Sequence, residues 1–362
     1  MAEFGEQIPI GGGKLEFIHD KKHGLLTQIS STGETGFRAM YELAVRQDGQ
    51  ILGVIPMGGL WTAPPPPPPL KALIQSDLQG MWGRCCPSCK SYFRTNHVMG
   101  DTFCPYCSKV NDSIAFITNA QKRYAKAFID AALTALRGPD NVTIDLSNVT
   151  DATPEWQYSE EQQQFHFKCA DQSCYAETDI LGEYGWCPRC GRSNAHGVIE
   201  TRLKVNEERF QKTDRDVTDR HRRAEEWELI NNIAFSSFEP LGNHLRTGLM
   251  LFPATAKRRK ELMSLSFQRI VSSVDALERW FDIDVFKDID EGERRFVNLM
   301  MHRRHIVTHN AGRVDEDYLA HSGDTSCRLN QRIRIRSTEV KRLLPLVRKM
   351  CDNLLNGFEG IT

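Results

Sequence analysis

The stretch GERRFVNLMMHRRHIVTHNAGRVDEDY, residues 292–318, decides how the C-terminal part of the chain folds and where its chemistry sits. It puts Arg303, Arg304, His302, His305 and His309 on one expected helix, then ends it with Asn310-Ala311-Gly312, a helix C-terminus signal. On a wheel of about 100° per residue counted from Phe296, Phe296, Leu299, Met300, Ile306 and Val307 share one apolar arc, the expected core face. His302, His305 and His309 gather on the other side, with Arg304 on the flank. Arg303 falls inside the apolar arc and would have to snorkel out of it.

An arginine beside histidines suits phosphodiester chemistry. Imidazole takes or gives a proton near neutral pH, and guanidinium holds a phosphate oxygen in a two-pronged fork as negative charge develops. Neither step requires a metal.

Arg304-His305-Ile306-Val307-Thr308-His309 resembles the R-[N/D/H]-x-x-x-H motif of HEPN domains (higher eukaryote and prokaryote nucleotide-binding domains), and Gly312-Arg313-Val314-Asp315 continues in the same style. The resemblance implies a small helical bundle that dimerises so that two motifs face one cleft. It also implies a metal-independent endoribonuclease of the kind found in toxin–antitoxin and antiviral systems. Arg304 would then hold the scissile phosphate, His309 would be the acid/base residue and His305 the polar second position. Arg303, Asn310 and Arg313 would bind substrate. The expected partners are RNA, a second copy of the chain, and a regulatory protein or nucleic-acid trigger at the N-terminal half.

Two other readings stay open: a non-catalytic adaptor that uses the same helix as a basic RNA- or protein-binding surface, and metal-dependent hydrolysis through His302, His305 and His309 at i, i+3 and i+7. The neighbouring arginines would repel a divalent cation, which disfavours the second.

The chain has 362 residues, enough for two or three domains, and its 46 Lys and Arg nearly balance its 47 Asp and Glu. The balance conceals a local excess: residues 291–349 hold thirteen cations against seven acids, a surplus of six that suits a polyanion. No apolar run approaches the ~18 residues a transmembrane helix needs, and Met1-Ala2-Glu3-Phe4-Gly5-Glu6 lacks the basic and apolar start of a signal peptide. A cytoplasmic protein with no membrane contact is expected.

Eight of the eleven cysteines sort into metal-ligand pairs. Cys86-Pro87-Ser88-Cys89 and Cys104-Pro105-Tyr106-Cys107 form two C-x-x-C knuckles that supply four thiolates for a tetrahedral, structural Zn²⁺. Cys169 and Cys174, with a longer spacing, pair with Cys187-Pro188-Arg189-Cys190 for a second Zn²⁺. Both resemble zinc ribbons in general, and Lys90, Tyr92, Arg94, Arg189 and Arg192 are candidates to touch nucleic acid beside them. Cys85, Cys327 and Cys351 are left over, Cys85 as a possible alternate ligand.

The remaining sequence supplies boundaries. Residues 1–62 are expected to be a β-rich segment with no assigned chemistry; Gly11-Gly12-Gly13-Lys14 does not satisfy a phosphate-loop spacing. Residues 63–70 contain six prolines, a stiff spacer of about 19 Å. A double zinc-ribbon region is expected over 71–200, with an inserted helix at 113–137 followed by a polar segment at 140–164. A charged linker or helix should occupy 201–223 and the HEPN-like helical bundle 224–362, with helices over 225–250, 256–281, 293–310 and 337–356, the first two split by Pro253 and the last capped by Ser337. The fold class is therefore multidomain α+β: a small β-rich N-terminal segment, two zinc-ribbon modules and a C-terminal all-α bundle.

Overall fold

The computed structural model describes residues 14–30, 38–56, 70–138, 140–145, 164–252, 255–268 and 270–361. The glycine run, the prolines at 64–69, most of the polar segment after residue 145 and Pro253 lie outside them. The chain divides into two compact units, Met1–Asn194 and Ala195–Thr362. Small β-sheets and two four-cysteine groups belong to the first, and helices make up the second.

In the first unit, β1 (Lys14–Asp20) alternates inward Leu15 and Phe17 with outward Lys14. It turns into β2 (Gly24–Ser30) where the Asp20 carboxylate accepts from the Lys22 and His23 amides at 2.8 and 2.7 Å. β3 (Met40–Val45) lies between β4 (Ile51–Pro56) and β5 (Leu70–Gln75). The segment holding the prolines therefore joins two strands of one sheet, and the division of the molecule falls elsewhere, at Asn194.

β6 (Trp82–Cys85), β7 (Tyr92–Thr95), β8 (Asp101–Phe103) and β9 (Val110–Asp112) carry the first knuckles. Helix α1 (Asn119–Arg137) begins later than the sequence pattern suggests, because residues 113–116 form a 3-10 turn and Thr118 caps the helix in a reciprocal box with Gln121. β10 (Val142–Asp145) pairs with β1, so the helix and strand that lie between the two ribbons in sequence join the core of the N-terminal strands. Tyr124, Phe128 and Ala132 of α1 pack on Leu15, Phe17 and Ile74, making one core from both sides of the proline run. Leu136, on the expected apolar face, is half exposed.

β11 (Gln164–Lys168) and β12 (Glu177–Leu181) complete the second ribbon. β12 pairs with β7 through Thr178 and Thr95, giving one sheet of order β11-β12-β7-β6 shared by both ribbons.

In the second unit, α2 (Ala195–Asp216) takes the helical form of the charged linker or helix expected at 201–223, starting earlier, and packs one side on its neighbours. Asn206 donates to the Ile230 carbonyl of α3 (Arg220–Leu249), and Arg348 of α8 (Ser337–Glu359) pairs with Glu207 of α2 at 3.3 Å. Between α3 and α8 run α4 (Ala256–Met263), α5 (Ile270–Phe281), α6 (Glu291–His309) and α7 (Glu316–His321). The single helix expected over 256–281 is thus two. Phe267, between them, presses on Gly242 of α3 so closely that a Cβ there would stand 2.1 Å from its ring.

Ser337 is the first residue of α8, not its cap; Arg336 precedes it, and its amide donates to Glu339 at 2.9 Å. Cys351 lies fully inside the α8 core face.

Candidate functional site

Each four-cysteine group is built by the same local device. The residue after the second cysteine of each pair, Lys90, Ser108, Tyr175 and Gly191, takes a positive φ of 62°, 50°, 54° and 72°. This folds the chain back under the sulfur, and the Ser88 and Tyr106 amides donate to Cys86 and Cys104 Sγ at 3.4 Å. Sulfur separations are 3.8 Å for Cys86–Cys107, 3.6 Å for Cys89–Cys104, 3.5 Å for Cys169–Cys190 and 3.6 Å for Cys174–Cys187. Four thiolates about 2.3 Å from a tetrahedral Zn²⁺ lie about 3.8 Å apart, so both groups fit that ion. All eight cysteines expected from spacing are brought together, and each set can hold a metal. Cys85 is outside both.

The two knuckles are tied reciprocally. The Phe103 amide donates to Pro188 O at 2.8 Å and the Trp186 amide to Pro105 O at 2.9 Å. The expected nucleic-acid contacts beside them do not hold as a set. Tyr92 and Arg94 are buried, Arg189 donates to the Cys174 carbonyl and Arg192 pairs with Asp171.

In the second unit, Asp290 and Glu293 cap α6 reciprocally, and the helix runs to His309. It ends as Asn310-Ala311-Gly312 suggests. The Asn310 and Gly312 amides both reach the Ile306 carbonyl, and a Cβ at Gly312 would meet Ile333 O at 2.6 Å. Of the expected apolar arc Met300 and Ile306 are buried and Phe296, Leu299 and Val307 partly so; Val297, outside that arc, is buried as well.

Arg304, His305 and His309 come together, with Gln268, Met301 and Thr308, around one pocket of about 110 Å³. Arg304 donates from Nε to Asn232 Oδ1 of α3 at 2.7 Å, which fixes the plane of the guanidinium. Its two terminal nitrogens make no hydrogen bond among the described residues and remain free to grip an anion. Burial lowers its pKa from the usual arginine value, with Glu239 opposing. The His305 and His309 rings stand 4.8 Å apart, and both side chains are open to solvent. Two imidazoles and a held guanidinium in one pocket can move a proton and bind a negatively charged oxygen.

Arg303 differs from its expected role. It stays in the core, pairs with Asp324 at 2.8 Å and Glu339, and touches the Tyr318 hydroxyl, so it has no capacity left for substrate. Asn310 is also engaged, donating to Arg313 O at 2.8 Å and Asp315 at 3.3 Å, a structural role in ending the helix. Arg313 is exposed on the loop beyond it. His302 leans edge-on against Tyr318, 6.5 Å between ring centres, and burial lowers its pKa. Among the described residues His302, His305 and His309 form no common donor group, so the three-histidine metal site is not assembled.

Asn232 and Gln268 carry no signal in the local sequence, since each reaches the pocket from a different helix or connection. No helix among the described residues is long and apolar enough to cross a membrane. The chain matches no known family, no curated protein and no solved structure.

Proposed function

We propose that the chain is a metal-independent endoribonuclease of the HEPN kind, with the α6 pocket as its active site. The observation that supports this is the meeting of Arg304, His305 and His309 around one cavity, with Arg304 oriented by Asn232. In the reaction the RNA 2′-oxygen attacks the adjacent phosphorus as its proton passes to an imidazole, the P–O5′ bond breaks, and the leaving oxygen takes a proton. The products are a 2′,3′-cyclic phosphate and a 5′-hydroxyl. His309 carries the proton, His305 is its partner, and Arg304 holds the phosphorane oxygens as charge accumulates.

The same reading assigns the eight cysteines to two structural Zn²⁺ ions. It makes RNA the substrate, a second copy of the chain the facing subunit, and the first unit the receiver of a trigger. An antiviral or toxin role in the cytoplasm follows from the resemblance.

The test is cleavage of a mixed RNA pool by wild type and His309→Ala, each with and without mild EDTA. Cyclic-phosphate ends from wild type in EDTA, lost in the variant, support the nuclease. RNA binding without cleavage, unchanged by the substitution and with no toxicity on expression, supports the adaptor reading.

A further inference from the structure

We propose that the start of α4, backed by Trp280, is a holding site for the sugar-phosphate backbone of a single-stranded nucleic acid, RNA and DNA alike. Only what the strand is held for rests on the nuclease reading. Helix α4 opens with Lys257, Arg258, Arg259 and Lys260 in succession, against Glu261 alone, a surplus of three. A helix N-terminus is already electropositive because its first amides lack partners. The starts of α6, α7 and α8 each carry an acid, whereas α4, like α1, α2, α3 and α5, has none in its first turn and is capped by the neutral Thr255 hydroxyl, which accepts from the Arg258 amide at 3.2 Å. Helix α3 also opens on cations, but there the Asp219 carboxylate is the cap and Arg223 is turned onto the Val217 carbonyl. At α4 only Arg258 is answered from within, by Glu261 at 3.5 Å; Lys257, Arg259 and Lys260 make no ion pair among the described residues.

Beside it lies a cavity of about 260 Å³, lined by Thr255, Lys257, Arg258, Glu261, Arg279 and Trp280. Three cations and one acid leave a surplus of two facing it. The Arg258 guanidinium stacks on the Trp280 ring at 4.6 Å, and the indole Nε1 is buried without a hydrogen-bond partner among the described residues. A cationic groove with an arginine–indole stack at its wall is the combination that grips backbone phosphates and offers a face to an unstacked base. Because Lys257 and Lys260, at i and i+3, share one face of the helix with Arg259 on the flank beside Lys260, a ligand with repeating charge engages them better than one phosphate ion.

The patch is tethered to the α6 pocket. Arg246 of α3 donates to the Met263 and Leu265 carbonyls at 3.2 and 2.7 Å, holding the connection that leads through Phe267 to Gln268, a wall of the pocket. Arg258 and Gln268 are separated by at most about 25 Å, five helical residues at ~1.5 Å and five extended ones at ~3.5 Å. A strand lying on the patch therefore reaches the pocket within a few nucleotides.

The experiment measures anisotropy of labelled oligouridine and oligothymidine against the full chain carrying His309→Ala, across a salt series. Comparable binding of both strands is expected. Lys257→Gln, Arg259→Gln and Lys260→Gln together, all at exposed positions, should weaken both at least about tenfold at low salt and lower the salt slope by about 2, three charges at ~0.7 each. Trp280→Leu, with an unchanged melting curve, should weaken both as well. Unchanged affinity in the triple variant, binding of neither strand by the parent, or binding of phosphatidylserine vesicles in place of strands would overturn the proposal. Strand binding by the parent, lost in the triple variant, with no cleavage by wild type and no toxicity on its expression would overturn the nuclease reading and leave this site standing.

Discussion

Arg303 and Asp324 form an ion pair at 2.8 Å inside the second unit, with side chains 10 % and 4 % exposed, directly beside the residue that lines the pocket. Glu339 and the Tyr318 hydroxyl complete the cluster, which ties α6, α7, the loop after it and the start of α8 together. Burial works against the Arg303 charge, and Asp324, Tyr318 and Glu339 more than offset it. Burial likewise pushes the Asp324 carboxyl up, but donors from Cys327, Ser326, Arg303 and Tyr318 hold it well below the usual carboxylate range. Removing one partner strands the other's charge, so Arg303→Met or Asp324→Asn should cost about 3–5 kcal/mol in urea unfolding. Arg304→Ala, which breaks no ion pair among the described residues, should cost far less.

The histidines of α6 should separate by function. Under the proposed reaction, His309→Ala and Arg304→Ala should each lower the cleavage rate by about 10²-fold or more, one by removing the proposed proton transfer and the other the proposed grip on the phosphorane. His302→Ala, which removes a ring that rests on Tyr318 outside the pocket, should leave the rate unchanged. Single-turnover cleavage of one defined RNA distinguishes the three, and equal losses at His302 and His309 would refute the assignment.

Metal content should follow the sulfur geometry. Displacing metal with a mercurial and titrating it colorimetrically should yield two Zn²⁺ per chain, one for each group. Cys104→Ser should yield one and Cys85→Ser should keep two, because Cys85 lies outside both clusters. Stripping the metal should expose the amides of the shared sheet to hydrogen exchange, as the knuckles add to the β7–β12 pairing that joins its two halves.

Gly242 is where α3 accepts the Phe267 ring. A Cβ there would stand 2.1 Å from the ring, so Gly242→Ala should force the α4–α5 connection outward at a cost of about 1–3 kcal/mol. Gln268 follows Phe267, so cleavage should fall together with stability. A variant with normal stability and normal cleavage would show that the connection yields freely.

Acid should weaken the second unit through His244 of α3, whose imidazole is pushed by burial down to about 3 from 6.5. The unfolded chain binds a proton near 6.5 and the folded one only near 3, so this stability is present above 6.5 and is lost as pH falls through that window, by up to ~1.4 kcal/mol per unit. Urea unfolding measured down that range should show the slope in wild type and a flatter line in His244→Leu.

What the sequence determined by itself was local. The two four-cysteine sets follow from the spacing of three C-x-x-C pairs and one longer pair, Cys169 and Cys174, because a knuckle is a turn of a few residues and its ligands are neighbours along the chain. The span of α6, the burial of Met300 and Ile306 and its stop at Gly312 follow from a helical period and a residue that alone tolerates contact with Ile333 O. Tertiary structure decided what those local signals were for. Arg303 and Arg304 are adjacent and chemically alike, yet one is neutralised by Asp324 and Glu339, 21 and 36 residues on, and the other is held by Asn232, 72 residues back. Likewise β5 joins β3 across the proline run, and α1 packs on strands that precede it by about a hundred residues. Strand pairing and charge burial depend on which distant segments meet, and no period or spacing within a short window encodes that.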